Sequence, residues 1–153
     1  MKPPAPLPRI AFLGLGVMGG AMLRNLVRAG FEVAGFDVSP AACARLVDAG
    51  CRLAASPADA AEGARMLITM LPTSQQVREA LFGTNGAAAA LPAGALVIEM
   101  STGDALDTDR IAADLAARGL RCMDAPVGRT PREAAAGKAL IMAGGSEADL
   151  AEA

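Results

Sequence analysis

The chain has 153 residues, 53% of them hydrophobic and 20% charged, with a formal net charge of −2, three cysteines and no histidine. That length suits one compact domain with enough chain to bury a core, and the near-neutral balance excludes a basic nucleic-acid surface. Without histidine the usual triads and the usual general base are excluded, so acid–base work would fall to lysine, carboxylate or cysteine.

Residues 1–8 hold four prolines and no apolar run, which predicts a disordered Pro-rich leader, not a signal peptide, ahead of a single domain over 9–153. Ile10 to Leu13 reads as a strand entering Gly14-Leu15-Gly16-Val17-Met18-Gly19-Gly20. Gly14, Gly16 and Gly19 give G-x-G-x-x-G. In that spacing the first glycine makes the tight turn, the second lets backbone approach a pyrophosphate, and the third lets helix and strand pack closely. A helix follows, with Met18, Met22 and Leu26 at intervals of four, Arg24 and Arg28 on the other face, and Gly30 ending it. Its first N–H groups and its dipole favour a phosphate. The next strand, Glu32 to Phe36, runs into Asp37, whose carboxylate can accept hydrogen bonds from an adenosine ribose. The plainer alternative is a strand, turn and helix that need glycine only for packing, with Asp37 capping the helix after Pro40.

Ala41 to Ala49 predicts a helix closed by Gly50, Cys51 to Leu53 a short strand, and Ser56-Pro57 a capped helix start. Arg65 to Leu71 and Ala95 to Met100 predict buried strands. Thr73 to Leu81 is helical, and Ser101-Thr102-Gly103-Asp104 opens a helix that runs to Arg118 and Gly119. Leu120 to Met123 is the next strand, and another helix begins after Ser146. Cys43, Cys51 and Cys122 are too scattered for a disulfide framework or a metal site and read as small apolar residues of a reducing compartment. The alanine-rich stretch from Ala87 to Leu96 is broken by Pro92 and Gly94, so no membrane span is expected and the protein should be soluble and cytoplasmic. Strands alternating with helices predict an α/β fold, a Rossmann-type doubly wound, mainly parallel sheet with ligands at the carboxyl ends of the strands. A methyltransferase also uses a glycine-rich first turn and an acidic second strand, and is the rival within that fold.

The loops at those carboxyl ends are, in order, Gly14 to Gly20, Asp37, Met70-Leu71-Pro72-Thr73, Glu99-Met100-Ser101-Thr102 and Asp124-Ala125-Pro126-Val127-Gly128. Together they resemble the 3-hydroxyacid dehydrogenase family, the 3-hydroxyisobutyrate dehydrogenase-like enzymes, across residues 9–153, and they count against the methyltransferase. The resemblance implies an NAD(P)-binding Rossmann domain of the 6-phosphogluconate dehydrogenase type. Gly14, Gly16, Val17, Met18 and Gly19 would then meet the cofactor phosphates, and Asp37 the ribose. Leu71 and Pro72 would border the nicotinamide ribose, and Thr102 would place a hydroxyl beside the nicotinamide, unless it only caps the helix at Asp104.

After Asp-Ala-Pro-Val most members carry Ser-Gly-Gly, where this chain has Gly128-Arg129-Thr130. That variant is similar to the branch of 3-sulfolactaldehyde and succinic semialdehyde reductases, and it implies substrate binding by Gly128, Arg129 and Thr130. A guanidinium offers a planar fork matching two oxygens of a sulfonate or carboxylate.

The family's proton-donating lysine and its neighbouring asparagine lie on a helix beyond Ala153, so no catalytic residue is expected in this chain, and Lys138 is read as solvated. The expected picture is a fragment: a nucleotide domain truncated before its last strand, lacking the family's helical C-terminal domain and inactive alone. It would be the cofactor half of an NAD-dependent oxidoreductase acting on a short anionic semialdehyde or the matching hydroxyacid, with NADP the less favoured cofactor. No nucleic-acid or membrane partner is expected, and the full-length form should be a homo-oligomer. A stand-alone dinucleotide-binding module without catalysis is the alternative.

Overall fold

The computed structural model describes residues 6–153. The expected leader therefore lies outside the described residues at positions 1–5, while Pro6, Leu7 and Pro8 belong to no helix or strand.

The chain alternates strand and helix: β1 (Ile10–Leu13), α1 (Val17–Arg28), β2 (Val33–Phe36), α2 (Pro40–Ala44), β3 (Arg52–Leu53), α3 (Pro57–Ala61), β4 (Met66–Thr69), α4 (Ser74–Phe82), β5 (Leu96–Glu99), α5 (Ala105–Ala116) and β6 (Arg121–Asp124). All pairings among these six strands are parallel, in the order β3-β2-β1-β4-β5-β6. That is the order of the doubly wound dinucleotide fold, and it reverses between β1 and β4. Every residue of β1, β4 and β5 is buried, as a parallel sheet covered on both faces requires.

Alternation along each strand sends side chains to two cores. Ala11, Leu13, Leu67 and Val97 meet Ala60 and Ala61 of α3, Val77 and Leu81 of α4, and Ile111 and Leu115 of α5. Ile10, Phe12, Ile68 and Ile98 join Leu15, Leu23 of α1 and Ala42 of α2 on the other face. The sheet is thus wound on both sides, as the sequence pattern predicts.

Beyond β6 the chain forms an antiparallel hairpin, β7 (Val127–Gly128) with β8 (Leu140–Ile141), enclosing α6 (Pro131–Ala135) and followed by α7 (Glu147–Glu152). Asp124 and Gly144 exchange backbone hydrogen bonds of 3.0 and 2.7 Å, tying the end of the hairpin to β6. Arg121 holds α7 through Asp149 at 2.6 Å and Glu152 at 2.7 Å.

Three local expectations change. The helix expected over Ala41 to Ala49 is two pieces, α2 and a separate 3-10 turn at Val47–Ala49. Leu46, 2% exposed, is drawn into the core between them, and the bonds there run i to i−3, from Leu46 N–H to Cys43 and from Ala49 N–H to Leu46. Thr102 does not cap the helix after it. That role falls to Asp104, which accepts from Leu106 N–H at 2.9 Å. Finally, α6 lies in what reads as loop, started by a capping box between Thr130 and Glu133 with Pro131 at its first position.

Candidate functional site

Because all six strands run the same way, their carboxyl ends share one edge. The register aligns Phe36, Leu13, Thr69, Glu99 and Asp124 as a row at that edge. Neighbouring strands lie about 4.8 Å apart, so the loops from Asp37 to Asp124 span four steps, about 19 Å.

The glycines of the first turn have three different reasons to be glycine. Gly14 has φ +99°, and a Cβ there would lie 2.2 Å from the Met70 carbonyl oxygen, so β1 and β4 meet at the switch point only without a side chain. At Gly19 a Cβ would stand 2.0 Å from the Gly14 carbonyl oxygen and 3.2 Å from the Phe12 ring, which is close packing of helix on strand. Around Gly16 no protein atom comes within 4 Å of a built Cβ, and its φ is −59°. Neither sterics nor backbone requires glycine there, and the open volume lies at the first turn of α1.

That first turn differs from the starts of all the other α-helices described. Side chains of Ser39, Ser56, Thr73, Asp104, Thr130 and Ser146 cap α2 to α7. No side chain caps α1, and its first turn carries no acidic residue. Its free N–H groups and positive dipole end are left for an anion. Val17, the first helical residue, is 71% exposed, and Met18 beside it is half-buried.

Asp37 is held from two sides. Its Oδ2 accepts from Leu15 N–H at 2.6 Å and its Oδ1 from Ser39 N–H at 2.8 Å. Each carboxylate oxygen keeps a further lone pair, now aimed by the fold. Asp37 and Gly14 line a cavity of about 270 Å³ with Phe36, Val38, Leu71, Gln76, Glu79 and Ala80. Gln76, Glu79 and Ala80 share one face of α4 at i, i+3 and i+4. Sequence reasoning gave them no role, although that spacing on a helix leaving the β4 loop was the available signal.

Beyond β4, Leu71 N–H donates to Ser101 Oγ at 2.9 Å. Glu99, 2% exposed, accepts through Oε1 from Ser101 N–H at 2.8 Å and from Thr69 Oγ1 at 3.1 Å. Pro72 and Thr102 are exposed at the rims of these two loops. Ser101 and Glu99 belong to one of the five loop motifs of the sequence, but sequence reasoning gave neither a role; a carboxylate ending an otherwise apolar strand was the further signal.

The substrate residues expected from the resemblance stand on the hairpin past β6, three strand positions from the glycine turn. Arg129 is exposed, has φ +72°, rare for a side-chain-bearing residue, and donates through Nη1 to the Lys138 carbonyl at 3.2 Å. Thr130 Oγ1 accepts from Glu133 N–H at 3.3 Å, so its hydroxyl serves the start of α6. At Gly128 a Cβ would sit in ordinary contact, 3.6 Å from Leu140. Burial, reinforced by Glu99, Asp124 and Asp149, pushes the Cys122 thiol up to about 12. It is therefore a neutral thiol near pH 7, unsuited to act as a base. Burial, then Asp109, also raises Asp124.

These features fit a dinucleotide: an uncapped α-helix start over an open glycine, an oriented carboxylate at the end of β2, and a cavity running from that carboxylate to α4. Comparison with known proteins agrees. Residues 9–153 match the family described as the NAD binding domain of 6-phosphogluconate dehydrogenase. The chain is 49% identical over 137 residues to 3-sulfolactaldehyde reductase of Escherichia coli K12, covering 90% of this chain and 46% of that one. It is 40% identical over 144 residues to human mitochondrial 3-hydroxyisobutyrate dehydrogenase, covering 94% and 43%. Among solved structures it superposes on the Mycobacterium tuberculosis 3-hydroxyisobutyrate dehydrogenase, determined with L-serine, with a TM-score of 0.90 at 37% identity, covering 95% of this chain and 49% of that one. The chain thus spans about half the length of the relatives it matches.

Proposed function

Because the chain belongs to the family of NAD-binding domains of 6-phosphogluconate dehydrogenase, we propose that it is the cofactor half of an NAD-dependent oxidoreductase. The reaction would reduce a short anionic semialdehyde, or oxidise the matching hydroxyacid. The observation that carries the cofactor reading is the open space at Gly16 beneath the one α-helix among the described residues that no side chain caps. Val17 and Met18 would offer backbone N–H groups to the pyrophosphate, and Asp37 would accept from the adenosine ribose hydroxyls. Leu71 and Pro72 would border the second ribose, with the Thr102 hydroxyl next to the nicotinamide. NAD is the preferred form: Asp37 would repel a 2′-phosphate, and Val38-Ser39-Pro40 supplies no arginine to neutralise one. When bound, the cofactor supplies or accepts the hydride at the substrate carbonyl carbon. By resemblance the proton comes from a lysine beyond residue 153.

Arg129 would hold the anionic end of the substrate, with Gly128 and Thr130 shaping the turn. The 49% identity to a 3-sulfolactaldehyde reductase supports this substrate class. So does the left-handed backbone at Arg129: where glycine would be unstrained, a guanidinium is kept. A stand-alone binding module would have no use for it.

The test is Arg129→Met in a protein that carries the downstream lysine. A two-pronged charged bond is worth roughly 1.5–3 kcal/mol, so kcat/KM for sulfolactaldehyde or succinic semialdehyde should fall about 10- to 150-fold. Butanal turnover and NADH affinity should hold. Equal losses for all three aldehydes, or none, would reduce Arg129 to a loop residue.

A further inference from the structure

Between the glycine turn and the hairpin lies a buried polar chain that neither phosphate binding nor substrate recognition uses. It runs from Thr69 at the end of β4 to Glu99 at the end of β5, from Glu99 to Ser101, and from Ser101 to Leu71. The contacts are 3.1 Å, 2.8 Å and 2.9 Å. All three polar side chains are at most 2% exposed. A carboxylate in such a place is costly unless it is hydrogen-bonded, and the same low-dielectric setting strengthens each bond it makes.

The connectivity is informative. Thr69 and Glu99 are directly opposed in the β4–β5 register, so their bond fixes the two strand ends together. Each chain then leaves the sheet, and the next bonds act outside it: Glu99 fixes the start of the β5 loop at Ser101, and Ser101 reaches back to fix the β4 loop at Leu71. Both Glu99 bonds fall on Oε1. The sheet needs none of this, because the β4–β5 ladder already continues through Met100 N–H to the Thr69 carbonyl at 3.0 Å.

We propose that Glu99 is a positioning residue for the nicotinamide half of the site. Acting through Thr69 and Ser101, it sets the separation of the Leu71-Pro72 and Ser101-Thr102 loops. It touches neither cofactor nor substrate. The proposal rests on the reading that these two loops flank the nicotinamide, whereas the adenosine half depends on Asp37 and α1, which Glu99 does not contact.

The experiment compares dissociation constants for NADH and for ADP, with NADH emission as a spectroscopic readout, in the 153-residue chain and in Glu99→Leu, Glu99→Gln and Ser101→Ala. In the unmodified chain NADH should bind tighter than ADP and its emission should shift to the blue. Glu99→Leu should weaken NADH at least 10-fold and abolish the shift, with ADP affinity changed less than about twofold. Glu99→Gln keeps an acceptor oxygen and should restore both readouts to within about threefold. Should Glu99→Leu not fold, Ser101→Ala, which removes only the link to Leu71, should show the same split in milder form.

Equal losses for NADH and ADP, no loss for either, or no rescue by glutamine would overturn the role of Glu99 while leaving the cofactor reading intact. An unmodified chain that binds ADP without any NADH emission change would overturn the nicotinamide placement itself, and the role of Glu99 with it.

Discussion

Three glycines separated by two and three positions make opposite predictions because only two of them meet protein. Alanine at position 14 or 19 would sit 2.2 or 2.0 Å from a carbonyl oxygen and should destabilise the fold by about 1–3 kcal/mol, read as a lower Tm without ligand. Gly16→Ala meets nothing within 4 Å and should leave that Tm unchanged. Its NAD affinity should nevertheless drop at least 10-fold, since the methyl occupies the space assigned to the pyrophosphate; unchanged affinity would remove the phosphate from that position. Cys122 gives a separate check. With its pKa near 12, roughly one thiol in ten thousand is ionised at pH 8, against about a quarter for an ordinary cysteine. Alkylation followed by mass spectrometry should find Cys122 last of the three cysteines to react, unless the chain is unfolded first.

Among the elements, α6 is the support of the Arg129 turn. Thr130→Ala should cost the helix about 1 kcal/mol and speed amide exchange at Ala134 and Gly137, whose N–H groups bond to Thr130 and Ala134. The Thr130 backbone N–H first, and its hydroxyl second, hold Glu133 below the usual carboxylate range. A lowered folded-state pKa means that this contribution is fully present above the ordinary glutamate value and is lost as the pH falls through the lowered one. α6 should therefore fray as the pH drops below the ordinary glutamate range, and Glu133→Gln should exchange with little pH dependence there beyond the intrinsic rate.

Local chemistry of this kind was legible in the sequence when it was looked for. The glycine spacing and Asp37 announced a turn and a carboxylate whose roles depend on residues close by or one strand away. Ser56 marked the helix it caps, and a helix was read to begin after Ser146. The Thr130-to-Glu133 box was equally local but sat inside a segment whose resemblance suggested only a loop. What no local pattern could state is the link from Thr69 to Glu99 and from Leu71 to Ser101, each across thirty residues. It exists because of the β4–β5 register, a property of the assembled sheet. The split of Ala41 to Ala49 had a similar cause, since burial of Leu46 outweighed the propensity of its neighbours.

For the molecule as a whole, the face of the sheet under α1 is incompletely covered. A cavity of about 460 Å³ there is lined by Met22, Leu26, Ile98, Met100, Met123 and Ile141. At its margin Leu140, Ile141, Met142 and Leu150 are 43–55% exposed. An apolar area of this kind favours association, so sedimentation of the 153-residue chain should depend on concentration and Ile141→Lys should reduce that dependence. On the proposal that the proton comes from a lysine beyond residue 153, residues 1–153 should bind NADH yet fail to turn over succinic semialdehyde. Turnover by material free of host reductases would contradict that assignment. The clasp on Asp37 has a consequence over evolutionary time. The carboxylate proposed to choose between the two cofactors is also the partner of the Leu15 and Ser39 amides, so a descendant drifting toward NADP must replace it and re-anchor the glycine turn together. Single substitutions along that route pass through weakened folds. A lineage built on this scaffold should therefore change its substrate, through the exposed residue proposed to hold it, Arg129, far more readily than its coenzyme.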